Sequence, residues 1–323
     1  MREITYAQAI NEALHQAMEL CDDVIVMGQL VDYKPAIFGT TKGLADRFGP
    51  QRVRDFPIAE NIMTSTAMGA ALTGIRPVIV HPRIDFMMYS LDPIVNWLSL
   101  WRFKSNGQSD MPITIRAIIG KGWGQGPQHS KSLHAWFAHL PGLKVAMPAT
   151  AHDAKGLLLE GIFGENPTIC IEHRALYSML DNVPREPYRV RFGQAVIRRE
   201  GADVTIVAAG LTVPLALRAA ELLTENSIDA EVIDLRTISP LDQKTIRDSV
   251  SKTKRLVAAD SGWPYAGLAA EIIASVAETH ADQLKANPVR VTLPDSHTPT
   301  SFVLENKYYL NENLIVQKVR TLF

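Results

Sequence analysis

The sequence predicts an α/β protein of two domains, each built on a mostly parallel sheet covered by helices. Three observations carry that prediction. Short continuous apolar runs, such as 24–27 and 168–171, have the character of strands buried on both faces. Stretches with helical spacing, such as 151–163, separate them. The alternation runs twice, and a polar segment with two prolines, 181–188, stands between the two runs.

Taken in order, Thr5 caps a first helix on which Tyr6, Ile10, Leu14, Ala17 and Leu20 fall at helical spacing. A buried strand at 24–27 follows and closes at Gly28. Further strands are expected at 53–58, 77–80, 112–119, 144–147 and 168–171, with helices at 62–72, 91–103 and 151–163 between them. A linker is expected at 181–190. The second set of strands falls at 204–208, 230–235, 256–259 and 289–292. The domains predicted are thus 1–180 and a smaller one at 191–323.

Composition narrows the function. With 323 residues, 46% apolar and 21% charged, the chain can bury a large core without disulfides or metals. The formal net charge of -1 argues against binding nucleic acid or an anionic membrane through bulk charge. The two cysteines, Cys21 and Cys170, make neither a disulfide framework nor a CxxC metal spacing. No apolar run reaches the length of a membrane span, and the N-terminus lacks the apolar core of a secretory signal. A soluble protein of the reducing cytoplasm is expected.

In open α/β sheets ligands sit beyond the carboxyl ends of the strands, so chemistry is sought there. Those positions hold Gln29 after the first long strand, Glu60 after the second, His81, Arg83 and Phe86 after the third, and the loop 120–130 with His129 after the fourth. Glu60 has two readings. It is a first-turn glutamate favoured by the helix dipole, or a sheltered carboxyl that exchanges a proton with a bound heterocycle. The glycine-rich loop before His129 has no GK[ST] and does not meet GxGxxG, so it reads as a flexible loop rather than a nucleotide cradle. His134 and His139 stand five apart, which does not support a helical metal pair. No GxSxG nucleophile elbow occurs.

A set of segments then makes the reading specific. They include Ile4-Thr5-Tyr6, Phe56-Pro57-Ile58-Ala59-Glu60, Gln128-His129-Ser130, Ala135-Trp136-Phe137-Ala138-His139, Pro141-Gly142-Leu143-Lys144-Val145 and Ile233-Asp234-Leu235-Arg236-Thr237-Ile238-Ser239-Pro240. In these the chain resembles the beta subunit of the pyruvate and branched-chain 2-oxo acid dehydrogenase decarboxylating components, over nearly its whole length. The resemblance implies a transketolase-type pyrimidine-binding domain followed by a transketolase C-terminal domain. It implies thiamine diphosphate as cofactor, with Glu60 on N1′ of the aminopyrimidine and Phe86 packed against that ring. Protonation at N1′ favours the 4′-imino form, whose nitrogen removes the proton from thiazolium C2; the cofactor is the electron sink. His129 is implied at the substrate side, in acyl transfer. An alkali-ion site, of the kind that takes K+, is implied at carbonyls near Ile113, Gly161, Gly164 and Asn166, though Gly164 stands where relatives often have aspartate.

The superfamily holds magnesium and the diphosphate with a GDG motif, and this chain has no GDG. The resemblance therefore implies an alpha-type partner that carries the motif and most of the Mg2+ site, in an alpha2-beta2 assembly. A lipoyl acyltransferase component and a small 2-oxo acid complete the expected partners. Other departures concern the pocket. Gln29 replaces an acid that relatives usually carry, and His81 and Arg83 precede Phe86 where relatives are apolar or aromatic. These changes suggest a more positive pocket wall, with Gln29 beside the cofactor and His81 and Arg83 toward an anionic group on the substrate. Two other readings stay open: a split transketolase-like carboligase that hands its carbon unit to an aldehyde, and a non-catalytic assembly subunit.

Overall fold

The computed structural model describes residues 2–323 except 35, 37, 122 and 123. The chain forms two compact units, one of Met1–Gly120 with Trp136–Phe192, the other of Lys121–Ala135 with Gly193–Phe323. The second unit is thus discontinuous: the segment that carries His129 belongs to it, although its flanking sequence belongs to the first.

The first unit opens with strand β1 (Arg2–Thr5) and the helix Tyr6–Leu20. The Thr5 side chain accepts from the Gln8 amide while the Gln8 side chain accepts from the Thr5 amide, a capping box that fixes the helix start. Tyr6, Ile10, Leu14 and Ala17 are buried, as their spacing predicts, but Leu20 is exposed because the helix ends there. Strands β2 (Val24–Gly28), β3 (Val53–Asp55), β4 (Arg76–His81), β5 (Thr114–Ile119), β6 (Lys144–Ala146) and β7 (Thr168–His173) then lie in the order β6-β7-β5-β4-β2-β3, all parallel. Almost every residue in β4, β5 and β7 is buried, which is why these runs read as mostly apolar. β3 is shorter than predicted: Pro57 has no N–H to extend the ladder. Strand β8 (Leu180–Val183) pairs antiparallel with β1, so the start of the expected linker is a strand.

The helix expected at 91–103 is broken. A helical turn at Leu91–Pro93 runs into a π-helical stretch at Ile94–Leu98, and a separate turn follows at Trp101–Lys104. The Ser99 hydroxyl donates to the Val95 carbonyl at 2.7 Å and competes with the regular ladder.

In the second unit, β9 (Val196–Arg199) is antiparallel to β11 (Ala230–Asp234), which lies beside β10 (Val204–Ala208). A short strand β12 (Thr237–Ser239) lies outside this sheet. β13 (Leu256–Ala259) and β14 (Val289–Val291) complete the order β14-β13-β10-β11-β9. Four of the five strands are those expected. β9 was missed because its partly exposed residues break the apolar run.

A charged pair lies within the first sheet. Arg116 on β5 donates from Nε to Glu172 Oε1 at 2.6 Å and from Nη2 to Oε2 at 2.9 Å, with Glu172 on the neighbouring β7. Tyr177 Oη donates to Glu172 Oε2 at 2.6 Å. Both charged side chains are almost completely buried. Burial works against the charge on Arg116, but Glu172 outweighs it and holds the guanidinium above its ordinary pKa.

Candidate active site

In the first unit the site is built at the carboxyl ends of β2, β4 and β5. After β3 the chain turns at 56–59 and enters the helix Glu60–Ala71, whose first residue is Glu60. The Ser90 hydroxyl donates to the Glu60 backbone carbonyl at 2.7 Å, and Thr64 donates to Ser90 at 2.9 Å. These bonds fix the backbone of Glu60 and leave its side chain uncommitted. That side chain belongs to a residue only 7% exposed, and among the described residues none donates a hydrogen bond to its carboxylate. A sheltered carboxylate without a donor carries a desolvation cost unless an incoming group supplies one. A ring nitrogen that takes up a proton is such a group, so the residues fit an aminopyrimidine.

Phe86 lies in the short helix Ile84–Met87 and is half-buried. Gln29 follows β2 directly, and its Nε2 is buried with no partner among the described residues. Arg83 is buried and donates from Nη1 to the Gly120 carbonyl at 3.0 Å. Gly120 has φ +95, and a Cβ there would stand 2.4 Å from the His173 ring, so only glycine lets this carbonyl face Arg83 while His173 packs behind it.

One expectation needs correction. His81 ends β4 fully buried, and neither ring nitrogen has a partner among the described residues. Burial pushes its pKa down from 6.5 to about 3, so the ring is neutral and adds no positive charge to a pocket wall. Only Arg83 remains to do that. The neutral ring also ties stability to pH. The unfolded chain protonates His81 near pH 6.5 and the folded one only near 3, so this contribution is complete above pH 6.5 and is lost as pH falls toward 3. The slope is about 1.4 kcal/mol per pH unit for one such group. His81→Leu is expected to flatten the dependence of the urea midpoint on pH between 6 and 4; an unchanged slope would assign the acid sensitivity elsewhere.

The implied alkali-ion carbonyls already accept hydrogen bonds. The Ile113 carbonyl accepts from the Thr168 amide, that of Gly161 from the Gly164 amide, and that of Asn166 from the Thr168 hydroxyl. Arg76 donates from Nη1 to Ile162 at 3.1 Å and to Gly164 at 2.9 Å. These oxygens already have donors, one of them a cation, and Gly164 brings no side-chain oxygen. Each carbonyl keeps a second lone pair, and the Arg76 guanidinium beside Ile162 and Gly164 disfavours a further cation there. Among the described residues no His, Cys, Asp and Glu cluster suits a metal either. A concavity of about 720 Å³ in the first unit, lined by Leu98, Phe103, Pro141, Asn166 and others, includes neither Glu60 nor Phe86.

In the second unit, His129 caps the single turn Gly126–Gln128 and is half-buried. Gly122 and Trp123 of its loop lie outside the described residues. His134 carries no sequence motif, and its spacing from His139 points only away from a metal pair. It is fully buried against Asp260, 126 positions away, with Nε2 and Oδ1 2.7 Å apart. His173, at the end of β7, follows Glu172 and carries no motif; its ring packs against Gly120.

Comparison with known proteins follows the two units. A model for the transketolase pyrimidine binding domain matches residues 2–179, and one for the transketolase C-terminal domain matches 193–315. A Rickettsia felis protein named pyruvate dehydrogenase E1 component subunit beta is 40% identical over 318 residues, covering 98% of both chains. The beta subunit of acetoin:2,6-dichlorophenolindophenol oxidoreductase from Cupriavidus necator is 39% identical, covering 95% of this chain and 94% of its own. The Bacillus subtilis protein of the same name is also 39% identical, covering 98% and 96%. A solved split-gene transketolase, an inactive beta4 tetramer, superposes with a TM-score of 0.79 over 99% of this chain and 98% of its own; at 22% identity it bears on the fold alone.

Proposed function

Since the chain belongs to the transketolase-like family that includes the beta subunits of pyruvate dehydrogenase E1 and of acetoin oxidoreductase, we propose that it is the pyrimidine-side half of a thiamine-diphosphate-dependent 2-oxo acid dehydrogenase component. The observation that carries this is the Glu60 carboxylate, sheltered at the start of its helix with no donor of its own among the described residues. When bound, thiamine diphosphate supplies a carbon nucleophile and an electron sink.

The residues of this chain do the rest. Glu60 holds and returns a proton at N1′, and an acid is needed there because an amide cannot exchange it. Phe86 packs on the ring face. Gln29 offers a neutral donor where relatives carry an acid. His129 serves the acyl group after carbon dioxide has left. Arg83 offers a cation toward an anionic group on the substrate or acceptor. No GDG occurs anywhere in the chain, so Mg2+ and the diphosphate fall to an alpha-type partner. No helix among the described residues is long and apolar enough to cross a membrane.

The acceptor separates the readings. In the reconstituted assembly, carbon dioxide release from a 2-oxo acid with acylation of a lipoyl domain supports the dehydrogenase component. Condensation with an aldehyde and no lipoyl acylation points to a carboligase. Because two relatives are named for acetoin, that hydroxyketone belongs in the substrate panel. An assembly inert toward all of them would leave only a structural role.

A further inference from the structure

The segment that presents His129 is held at both ends by the rest of the second unit. Three residues before His129, Gly126 adopts φ +63 against Thr300: a Cβ there would lie 2.5 Å from the Thr300 hydroxyl. Five residues after it stands His134, at the first position of a short helix. His134 is fully buried, and its Nε2 lies 2.7 Å from Asp260 Oδ1.

Asp260 is an unusually fixed partner. Its backbone amide donates to the Val291 carbonyl, which extends the pairing of β13 with β14. Its Oδ1 accepts from the Gly262 amide at 2.8 Å and its Oδ2 from the Ala269 amide at 3.3 Å, in the first turn of the helix Leu268–His280. Burial opposes its charge, but His134 and the two amides outweigh burial and hold the carboxyl below the usual range. A carboxylate only accepts, so His134 Nε2 carries the proton and donates it. His134 Nδ1 has no partner among the described residues, so this one charge-assisted bond is the ring's polar anchor.

His129 makes a long backbone hydrogen bond within its own turn. Its amide reaches the Gly126 carbonyl only at 3.5 Å, and it follows a single helical turn.

We propose that the His134–Asp260 pair is a positioning latch that fixes the segment bearing His129, and that acyl transfer depends on it while cofactor activation does not. This rests on the role given above to His129. A displacement of about 1 Å at an acid–base group can cost on the order of 100-fold in rate, so a buried anchor five residues away is close enough to matter.

The test uses the assembled enzyme with His134→Ala, His134→Gln and Asp260→Asn. Glutamine can place its amide nitrogen near the position of Nε2 and restore the donor. The expected result is a loss of kcat for lipoyl acylation on the order of 10–100-fold in His134→Ala, with partial recovery in His134→Gln. KM for the 2-oxo acid and deuterium exchange at C2 of the bound cofactor should stay near wild type. Equal losses in transfer and in C2 exchange would make the pair merely structural and overturn the proposal, as would wild-type kcat in all three variants. Amide hydrogen exchange over 124–133 reads the latch without any substrate. Faster exchange in His134→Ala than in His134→Gln supports it even if the wild-type assembly proves inactive toward 2-oxo acids. Identical exchange in every variant overturns it whatever the reaction is.

Discussion

Glu60→Gln, in the assembled complex, is expected to slow deuterium exchange at C2 of the bound cofactor by about 100-fold or more. General acid–base groups commonly contribute 10²–10⁴-fold, and this carboxyl is the proton partner assigned to N1′. The substitution should spare the fold. The local backbone is held by Ser90 on the Glu60 carbonyl and by Thr64 on Ser90, and neither bond uses the side chain being changed. The residue is buried, but an amide of the same size is less costly there than a carboxylate. Cofactor affinity should change far less than exchange. Exchange within a few-fold of wild type would mean that another group protonates the ring.

Arg116→Met is expected to cost about 3–5 kcal/mol of unfolding free energy, the largest single-site stability effect predicted here. The change leaves the buried Glu172 carboxyl short of two hydrogen bonds, with Tyr177 alone among the described residues still donating to it. A buried pair is not itself a large source of stability, because desolvation offsets most of its attraction. The double variant Arg116→Met, Glu172→Leu should therefore recover most of the loss. Urea unfolding of the full chain at neutral pH checks both. A single variant that costs less than about 1 kcal/mol, or a double variant worse than the single, would show that the two charges are not coupled.

Much of the fold was legible because the first sheet buries its central strands on both faces. That burial favours mostly apolar runs, and in open α/β sheets ligands sit beyond their carboxyl ends. Glu60, Phe86 and His129 were singled out by following those ends, and the family resemblance gave them their expected roles. What stayed hidden depends on partners far apart in sequence. The pairing of β8 with β1 makes a strand of residues that looked like a polar linker. The grouping of 121–135 with the second unit leaves no local trace in composition. The neutrality of His81 follows from complete burial at the end of β4, which a histidine and an arginine two residues apart do not disclose. The carbonyls around Gly164 receive the Arg76 guanidinium from a strand nearly ninety positions away in the chain.

The central claim is that this chain supplies the pyrimidine side of a cofactor site whose diphosphate side lies on another polypeptide. Calorimetric titration of thiamine diphosphate, with and without Mg2+, into the isolated chain and into its complex with an alpha-type partner tests it most directly. The account predicts weak, magnesium-indifferent binding to the isolated chain and tight, magnesium-dependent binding to the complex. Tight binding to the isolated chain that depends on Mg2+ would contradict it, because the chain would then hold a complete diphosphate site without the GDG motif.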